Sequence, residues 1–314
     1  MLIISVFLHG MKNKLLMAVL AAAALCLAGV PGQAKKPVEL RVGSYNLRRA
    51  KLDKDSPDNN WQVREPRLIQ SILDNEFDLC GLQEVDSEEQ ESIPRLLAER
   101  GVEYGSYFFG PYADDGHGTK AHGLLWRKDR FKLIGKPHYF WISDPPEKKQ
   151  VNDIGSNLKG KFIRGGFCVV LKDRKAGRKY LMMVTHAPLN RQQHAENAHI
   201  FIDMEKKYNP KGWPSFFVGD FNAKETDDAS AVYRTHWTDS YHAFDEDPSL
   251  REGPEVTFNG WRLEGPKPGF GRIDFIYFRG KDVTPLRYRC NDTRYDGLFA
   301  SDHFPVMVDF RIGE

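Results

Sequence analysis

Short apolar stretches separated by polar and helical segments run along the chain from about residue 36 to its end. Every second residue from Val38 to Val42 is apolar, which is typical of a half-buried β-strand. Within Trp61–Asn75, Ile69, Ile72 and Leu73 recur at helical spacing and predict an α-helix. Further strands are predicted where β-branched and aromatic residues concentrate: 77–83, 166–172, 180–185, 215–219, 273–278 and 304–310.

The alternation of strands and helices along one chain predicts an α/β fold. No internal repeat or low-complexity linker divides it, so we expect a single domain over residues 35–314. One stretch, Lys136–Lys161, carries Pro145-Pro146, Asn152 and several glycines. We expect this stretch to be a long surface loop at the rim of a site.

The first 34 residues differ in composition from the rest. Lys12 and Lys14 precede the uncharged run Leu15–Val30, and the small residues Gly32 and Ala34 follow. This order is typical of a secretory signal peptide over residues 1–34. The apolar run is shorter than the roughly 20 residues needed to span a bilayer, so an uncleaved anchor is the weaker interpretation. We therefore expect an exported protein, in the periplasm, at the surface or in the medium, with no integral membrane span after cleavage.

A lipid anchor is an alternative fate for this segment. Cys26 lies in the apolar run, but Leu25 precedes it where a lipoprotein signal favours Gly or Ala. Lipidation is therefore less favoured than simple cleavage.

Acidic and basic residues are balanced. The chain of 314 residues has 45 Lys+Arg and 43 Asp+Glu, a formal net charge of +2. The leader holds two of the lysines and no acidic residue, so the remainder carries no net charge. Proteins that coat nucleic acid need many Lys and Arg side chains to neutralise phosphates. Nucleic acid is therefore allowed as a substrate but is not indicated by charge, and no protein partner is predicted.

Three cysteines follow the leader, Cys80, Cys168 and Cys290, at wide spacing and without a CxxC pair. A zinc site built from thiolates is therefore not expected. Cys80 and Cys168 lie in apolar, strand-like stretches and are predicted to be small buried residues, although export would allow one disulfide.

Polar residues follow almost every predicted strand. A single such residue is usually a turn former or a solvent-facing cap. Loops at strand ends are also where α/β proteins assemble their sites. Six short motifs occupy these positions in order along the chain: SYN at 44–46, LQE at 82–84, VTHAP at 184–188, GDFN at 219–222, RID at 272–274 and SDH at 301–303.

Taken in this order, the six motifs resemble the endonuclease/exonuclease/phosphatase superfamily, the DNase I-like metal-dependent phosphohydrolases. GDFN and SDH are the most specific, and the motifs together span nearly all of the chain after the leader. Phe140–Ser143 (FWIS) is similar to a segment of the family's secreted bacterial members. The resemblance implies a four-layer α/β sandwich, in which two mixed β-sheets pack face to face and are flanked by helices.

Two carboxylates are candidates for a metal site. Glu84 and Asp302 are hard oxygen donors of the kind that Mg²⁺ prefers. The resemblance assigns both to the metal and places Asn46 beside them. Mg²⁺ is the expected cofactor, with Mn²⁺ as an alternative and Ca²⁺ also allowed. Cleavage of a phosphate ester needs such a cation to offset charge on the phosphate oxygens.

Five further residues are candidates for catalysis. By the resemblance, Asp220 orients or deprotonates the attacking water, and Asn222 holds the phosphate or the metal ligands beside it. His303 contacts the scissile phosphate and pairs with Asp274, while His186 binds a phosphate oxygen or assists the leaving group. Asp274 interrupts an apolar strand, which costs free energy unless its carboxylate has a partner, and His303 is the natural one.

Arg164 and Asn190 are weaker candidates, both for contact with the substrate phosphate. Arg164 lies just before a predicted strand, where family members often carry a phosphate-facing arginine, and a plain surface arginine is the alternative. The remaining histidines are more often surface or structural residues, and no role is assigned to them, including His117, His122, His194 and His242.

These observations favour an exported divalent-metal-dependent phosphohydrolase, and first of all a phosphodiesterase. A secreted nuclease acting on DNA or RNA is one alternative, and a catalytically inactive module that binds a phosphorylated ligand is another. Residues 185–190 (THAPLN) depart from the THLDH common among relatives. The reaction is therefore better defined than the substrate, which depends on the loops 113–122, 136–161 and 261–270.

Overall fold

The computed structural model describes residues 36–109, 121–148, 156–157, 162–189, 194–265 and 269–313. The predicted leader and Asn190 lie outside these residues. The helices of the described part are α1 (Trp61–Asn75), α2 (Ser87–Glu99), α3 (His194–Tyr208) and α4 (Asp228–Arg234), with 3-10 turns at His242–Phe244 and Pro248–Leu250. Its strands are β1 (Val38–Asn46), β2 (Leu79–Val85), β3 (Tyr104–Phe109), β4 (Ala121–Arg127), β5 (Phe131–Trp141), β6 (Ser156–Asn157), β7 (Phe162–Ile163), β8 (Gly165–Asp173), β9 (Arg178–His186), β10 (Ser215–Asp220), β11 (Thr238–Asp239), β12 (Arg251–Glu252), β13 (Asp274–Arg279), β14 (Val283–Cys290) and β15 (Val306–Ile312).

The strands form two large mixed sheets. Sheet A has the order β12-β14-β15-β1-β2-β4-β3, and sheet B has the order β11-β13-β10-β9-β8-β5. β1 and β2 run parallel in sheet A, and β9 and β10 run parallel in sheet B. The short strands β6 and β7 pair with each other. Because each parallel pair ends its strands at the same edge of its sheet, polar residues after those strands are brought together.

The largest apolar core lies between the two sheets. Leu40 and Val42 of sheet A join Val184 and Val218 of sheet B in one cluster of buried side chains. A Cβ built at Gly81 on β2 would lie 2.3 Å from Val218 Cγ2, so the sheets approach too closely there for a side chain. This close packing fixes the position of one sheet against the other.

Helices cover the outer faces of both sheets. Leu68 of α1 and Ile93 of α2 belong to a second buried cluster, on the outer side of sheet A. Phe201 of α3 and Tyr233 of α4 contact Phe217 of β10 on the outer side of sheet B. The predicted four-layer sandwich of two mixed sheets between helices is therefore confirmed.

The helix predicted from apolar spacing at Trp61–Asn75 is α1, with the same bounds. It begins after Asn60, whose side-chain oxygen accepts a hydrogen bond from the Val63 amide at 3.3 Å. It ends at Glu76, which adopts the left-handed conformation with φ 47°. Both ends are thus set by local backbone chemistry, and the buried face packs on sheet A.

The expectation of a surface loop over Lys136–Lys161 is wrong for its first part. β5 continues to Trp141 and pairs with β8 at the edge of sheet B. The pairing register shifts around Pro137. Proline has no amide hydrogen and is tolerated at such an irregularity on an edge strand, so it does not end β5.

The three described cysteines, Cys80, Cys168 and Cys290, are buried and carry free thiols. Burial raises the pKa of each thiol well above its ordinary value. In the part of the chain that the structure describes, no helix is both long and apolar enough to cross a membrane.

Candidate active site

Strand register places three ionisable side chains in one row at the end of sheet B. In the parallel pair of β9 and β10, His186 lies opposite Asp220. In the antiparallel pair of β10 and β13, Asp220 lies opposite Asp274. All three side chains are buried, so each needs polar partners within the protein.

Asp220 is at the centre of this row. Its Oδ2 accepts a hydrogen bond from Asn46 Nδ2 at 3.0 Å and lies 3.3 Å from His186 Nε2 and 3.8 Å from His303 Nε2. Its Oδ1 accepts from the Asn222 amide at 2.9 Å. Burial and the neighbouring Asp274 charge raise the pKa of Asp220 above its ordinary range. Asp220 can therefore take up a proton nearer to neutral pH than an ordinary carboxylate can.

His303 contacts both carboxylates of the row. Its Nδ1 lies 2.9 Å from Asp274 Oδ2, at hydrogen-bond distance. Burial alone would lower the pKa of His303, but Asp274, Asp220 and Asp302 together raise it to about 10. At neutral pH the ring is therefore a buried imidazolium, with Nδ1 donating to Asp274.

A second group of polar residues surrounds the end of β1 in sheet A. Asn46 pairs in register with Gln83, and Glu84 follows directly on β2. Ser301 Oγ donates to the Asn46 carbonyl oxygen at 2.6 Å, which brings the loop carrying Asp302 to the same place. Since Asn46 also contacts Asp220, it joins the two groups.

Glu84 and Asp302 are close enough to influence each other. Burial, and to a smaller extent the Glu84 charge, raise the pKa of Asp302, while His303 and Arg48 act in the opposite direction. Arg48 Nη1 lies 3.2 Å from Asp302 Oδ2. Two carboxylates with an amide oxygen nearby form a hard-oxygen donor set, which fits Mg²⁺ or Mn²⁺.

Three site residues adopt the left-handed backbone conformation that favours glycine. The φ angles are 55° for Arg48, 55° for Glu84 and 50° for Asn222. Such residues cost of order 1–3 kcal/mol each and persist where the surrounding structure fixes them, often at functional sites. Glu84 lies within β2, and Arg48 and Asn222 each lie two residues after the end of a strand.

His186 lies against a basic, buried environment. Burial and the positive charge of Arg164 hold the pKa of His186 well below its ordinary value. The ring of His122 lies 6.1 Å from the ring of His186. Arg164 is itself buried, so the structure brings this predicted phosphate ligand close to His186 rather than to the open surface.

One group of described residues has ligand atoms close enough to hold a metal ion between them. Asp220, Asp274 and His303 each offer one atom, and these atoms lie within 4.8 Å of one another. The hydrogen bond between His303 Nδ1 and Asp274 already accounts for this proximity. The predicted metal residues form a separate set: Glu84, Asp302 and Asn46. Asn46 connects this set to Asp220 through its hydrogen bond.

Two residues of this region had no role in the prediction from sequence. Arg48 contacts Asp302 and lies two residues after the SYN motif, so its distance from a strand end was the available signal. His122 is fully buried, not on the surface. Its position against His186 depends on β4 of sheet A facing β9 of sheet B. The local sequence around His122 does not predict this packing of strands from different sheets.

The arrangement of two packed sheets with acidic and imidazole side chains at one end defines the fold of the DNase I-like phosphohydrolases. The model of the Endonuclease/Exonuclease/phosphatase family matches residues 43–303, and the chain belongs to this family. The predicted superfamily is thus confirmed. Among curated protein sequences, none matches this one.

Several solved structures share the fold. A family protein from Bacteroides thetaiotaomicron is 23% identical, with a TM-score of 0.75 over 89% of this chain and 100% of its own. The mannosyl-6-phosphatase Bt3783 from B. thetaiotaomicron VPI-5482 is 24% identical, with a TM-score of 0.72 over 86% and 99%. The human Nocturnin catalytic domain with bound sulfate anion is 19% identical, with a TM-score of 0.65 over 88% and 96%. At these identities the likeness shows the fold.

Proposed function

We propose that this chain is an exported, divalent-metal-dependent phosphohydrolase and that a phosphodiester is the first substrate class to test. The observation that supports this best is the surroundings of Asp220. Its buried carboxylate contacts His186, His303 and Asn46, while Asp274 lies directly opposite. A carboxylate with a raised pKa between two imidazoles has the properties required of a general base.

Asp220 accepts a proton from the attacking water in this proposal. Asn46 donates to the carboxylate and holds it in one orientation. His303, kept protonated by Asp274, supplies positive charge to the phosphate oxygens as the negative charge on them develops. His186 is neutral, and its Nε2 is 3.3 Å from Asp220 Oδ2, so it positions the carboxylate and a phosphate oxygen without adding charge.

Glu84, Asp302 and Asn46 are the residues that would hold the metal. A bound Mg²⁺ or Mn²⁺ supplies charge that stabilises the phosphate oxygens and the leaving oxygen. The carboxylate pair belongs to sheet A and to the loop before β15, next to Asp220 through Asn46. Arg164, buried near His186, is suited to a phosphate oxygen.

The test is hydrolysis by the purified protein with EDTA and with added Mg²⁺, Mn²⁺ or Ca²⁺. Substrates are bis(p-nitrophenyl) phosphate, p-nitrophenyl phosphate, DNA, RNA, sphingomyelin, phosphatidylinositol phosphates and sugar phosphates. We expect metal-dependent release that EDTA abolishes. Asp220→Asn should lower kcat by at least about a hundredfold without loss of fold, whereas Asp129→Asn, an exposed surface carboxylate, should not.

The panel also separates the other functions. Cleavage of DNA or RNA in preference to small esters would identify a nuclease, and preference for monoesters would identify a phosphatase. Binding of phosphate esters without turnover in any metal would overturn the enzymatic proposal and support a binding module.

Export is the second part of the proposal. It is supported by the basic residues and uncharged run within residues 1–34. The test is fractionation of an expressing Gram-negative bacterium, followed by N-terminal sequencing of the protein. A periplasmic protein that begins at Lys35 is expected. Retention of the whole leader in the membrane fraction, or lipid on Cys26, would contradict it.

A further inference from the structure

Two hydrogen bonds hold the main chain of Arg48 in the structure. Its amide donates to Asn46 Oδ1 at 3.0 Å, and its carbonyl oxygen accepts from the buried guanidinium of Arg64. Its backbone adopts the left-handed conformation, with φ 55°. The main chain at Arg48 is therefore fixed by neighbours rather than by solvent.

The guanidinium of Arg48 bridges two carboxylates. On one edge, Nε and Nη2 donate to Asp53 Oδ2 and Oδ1 at 2.8 and 3.1 Å, a bidentate pair. On the other edge, Nη1 lies 3.2 Å from Asp302 Oδ2. The Arg48 side chain keeps 30% of its surface exposed, whereas that of Asp302 keeps 5%. Arg48 thus reaches from solvent to a carboxylate that is almost fully buried.

Asp302 is one of the two carboxylates of the proposed metal site. A cation already lies against its Oδ2 in the structure, and that cation belongs to the chain. A divalent ion bound by Asp302 and a guanidinium in contact with the same oxygen repel each other, and the low local dielectric strengthens this repulsion. Metal binding at Asp302 is therefore weakened for as long as Nη1 stays against Oδ2.

Asp53 keeps Arg48 at the site when Nη1 leaves Asp302. The bidentate contact with Asp53 uses Nε and Nη2 and leaves Nη1 available. A guanidinium held on one edge and free on the other is well suited to bind a phosphate oxygen. The substrate phosphate supplies the negative charge that Arg48 loses when the metal takes Asp302.

We propose that the Arg48 guanidinium stays bound to Asp53 and exchanges its other partner, Asp302, for the substrate phosphate. This inference rests on the proposed function. Arg48 competes with the metal in the absence of substrate and binds a phosphate oxygen once the metal is present. Metal and phosphate consequently bind cooperatively. Since such coupling is reciprocal, each ligand raises the affinity for the other by the same factor.

The experiment is isothermal titration calorimetry of Mn²⁺, and of inorganic phosphate with and without Mn²⁺, on the purified protein. Arg48→Met keeps the side-chain stem but removes the charge. We expect it to bind Mn²⁺ about five- to tenfold more tightly than the wild type and, when loaded, phosphate at least about tenfold more weakly. Arg48→Lys keeps the charge but lacks the two donor edges of the guanidinium. It should bind Mn²⁺ with nearly wild-type affinity. The matched control is Arg95→Met, which removes an exposed pair with Glu99 and should change neither affinity.

Unchanged Mn²⁺ affinity in Arg48→Met, or unchanged phosphate affinity of its loaded form, would overturn the proposal and leave Arg48 as a structural ion pair. If Arg48→Met does not fold, as judged by circular dichroism, phosphate titration of Arg48→Lys tests the proposal instead. Loss of the two donor edges of the guanidinium should still weaken phosphate binding. Asp302→Asn separates the two proposals. Undiminished Mn²⁺ binding in that variant would move the metal away from Asp302 and contradict the proposed function itself.

Discussion

Asp220 and Asp274 lie directly opposite each other in the antiparallel pair of β10 and β13, and His303 contacts both. Ligand atoms of the two carboxylates lie within 4.8 Å of each other. Carboxylates this close repel each other unless a cation or a proton lies between them. His303 is that cation in the described part of the site. The protonation of all three groups is therefore linked, and a change to one shifts the others.

Replacement of Asp274 by Asn tests this link through pH. His303 is protonated below its pKa of about 10, and the active form is lost as pH rises through that value. Without Asp274 the pKa of His303 falls, so the alkaline limb of kcat/KM should move to lower pH. The acidic limb should move the same way, because Asp274 raises the pKa of Asp220. Profiles of kcat/KM from pH 5 to 10.5 check both shifts, and an unmoved alkaline limb would contradict the assignment of His303.

Metal binding should stabilise the folded protein. A ligand at a hundred times its Kd adds about 2.7 kcal/mol, which raises Tm by several degrees for a chain of this size. Glu84→Gln and Asp302→Asn should abolish the shift, because each removes a charged donor from the proposed metal site. Asp274→Asn should retain most of it. Differential scanning fluorimetry with and without Mn²⁺ measures these shifts, and loss of the shift only in Asp274→Asn would relocate the metal to the Asp220, Asp274 and His303 cluster.

Gly219 is expected to accept no side chain. A Cβ built there would lie 2.3 Å from the Thr185 carbonyl oxygen on β9, so Gly219→Ala must push β10 away from β9. We expect a loss of about 1–3 kcal/mol in the free energy of unfolding. Activity should fall further, because Asp220 and His186 follow directly on these strands. Gly271→Ala is the matched control, since its nearest neighbour is the flexible Lys224 side chain at 3.8 Å. Urea titration and kcat distinguish the two variants, and equal stability would refute the close approach.

His122 should make the protein less stable in acid. Burial first, and then the charge of Arg164, lower the pKa of His122 to about 3. Between an ordinary pKa of about 6.5 and that value, the unfolded chain binds a proton that the folded protein excludes. Stability therefore falls as pH drops through this interval, by about 2 kcal/mol at pH 5 from this residue alone.

The matching experiment compares urea unfolding at pH 7 and pH 5. His122→Asn should lose roughly 2 kcal/mol less between the two pH values than the wild type does. His199→Asn, at an exposed position on α3, is the control for loss of an imidazole from the surface. An identical pH dependence in His122→Asn would show that the ring accepts a proton in the folded state.

The sequence was informative where local patterns determine structure. Apolar spacing predicted α1 at Trp61–Asn75, because amphipathic helices bury one face on a sheet. Strand β5 (Phe131–Trp141) was not predicted, and its second half was assigned to a loop, because Pro137 and the change of register interrupt the regular pattern of an edge strand. A strand pattern describes which side chains are buried but not how pairing accommodates an irregular residue.

Candidate site residues at strand ends could be named from the sequence, but their contacts could not. The meeting of Asn46 with Asp220 joins residues from different sheets, and it depends on how those sheets pack. Arg48 was overlooked because the role proposed for it rests on its contact with Asp302, far away in the chain. His122 was overlooked for the same reason, as a lone histidine in an apolar strand is usually structural. Packing between sheets, rather than the motifs, determines these roles.

The close approach of the sheets at Gly81 and Val218 has a consequence for refolding. Glu84 and Asn46 belong to one sheet and Asp220, His186 and Asp274 to the other, so neither sheet alone holds a working arrangement. We therefore expect a chain in which only one sheet has formed to be inactive. After dilution from denaturant, recovery of turnover should therefore lag behind recovery of the β-strand signal in circular dichroism. The length of this delay would measure how long the two sheets take to pack against each other.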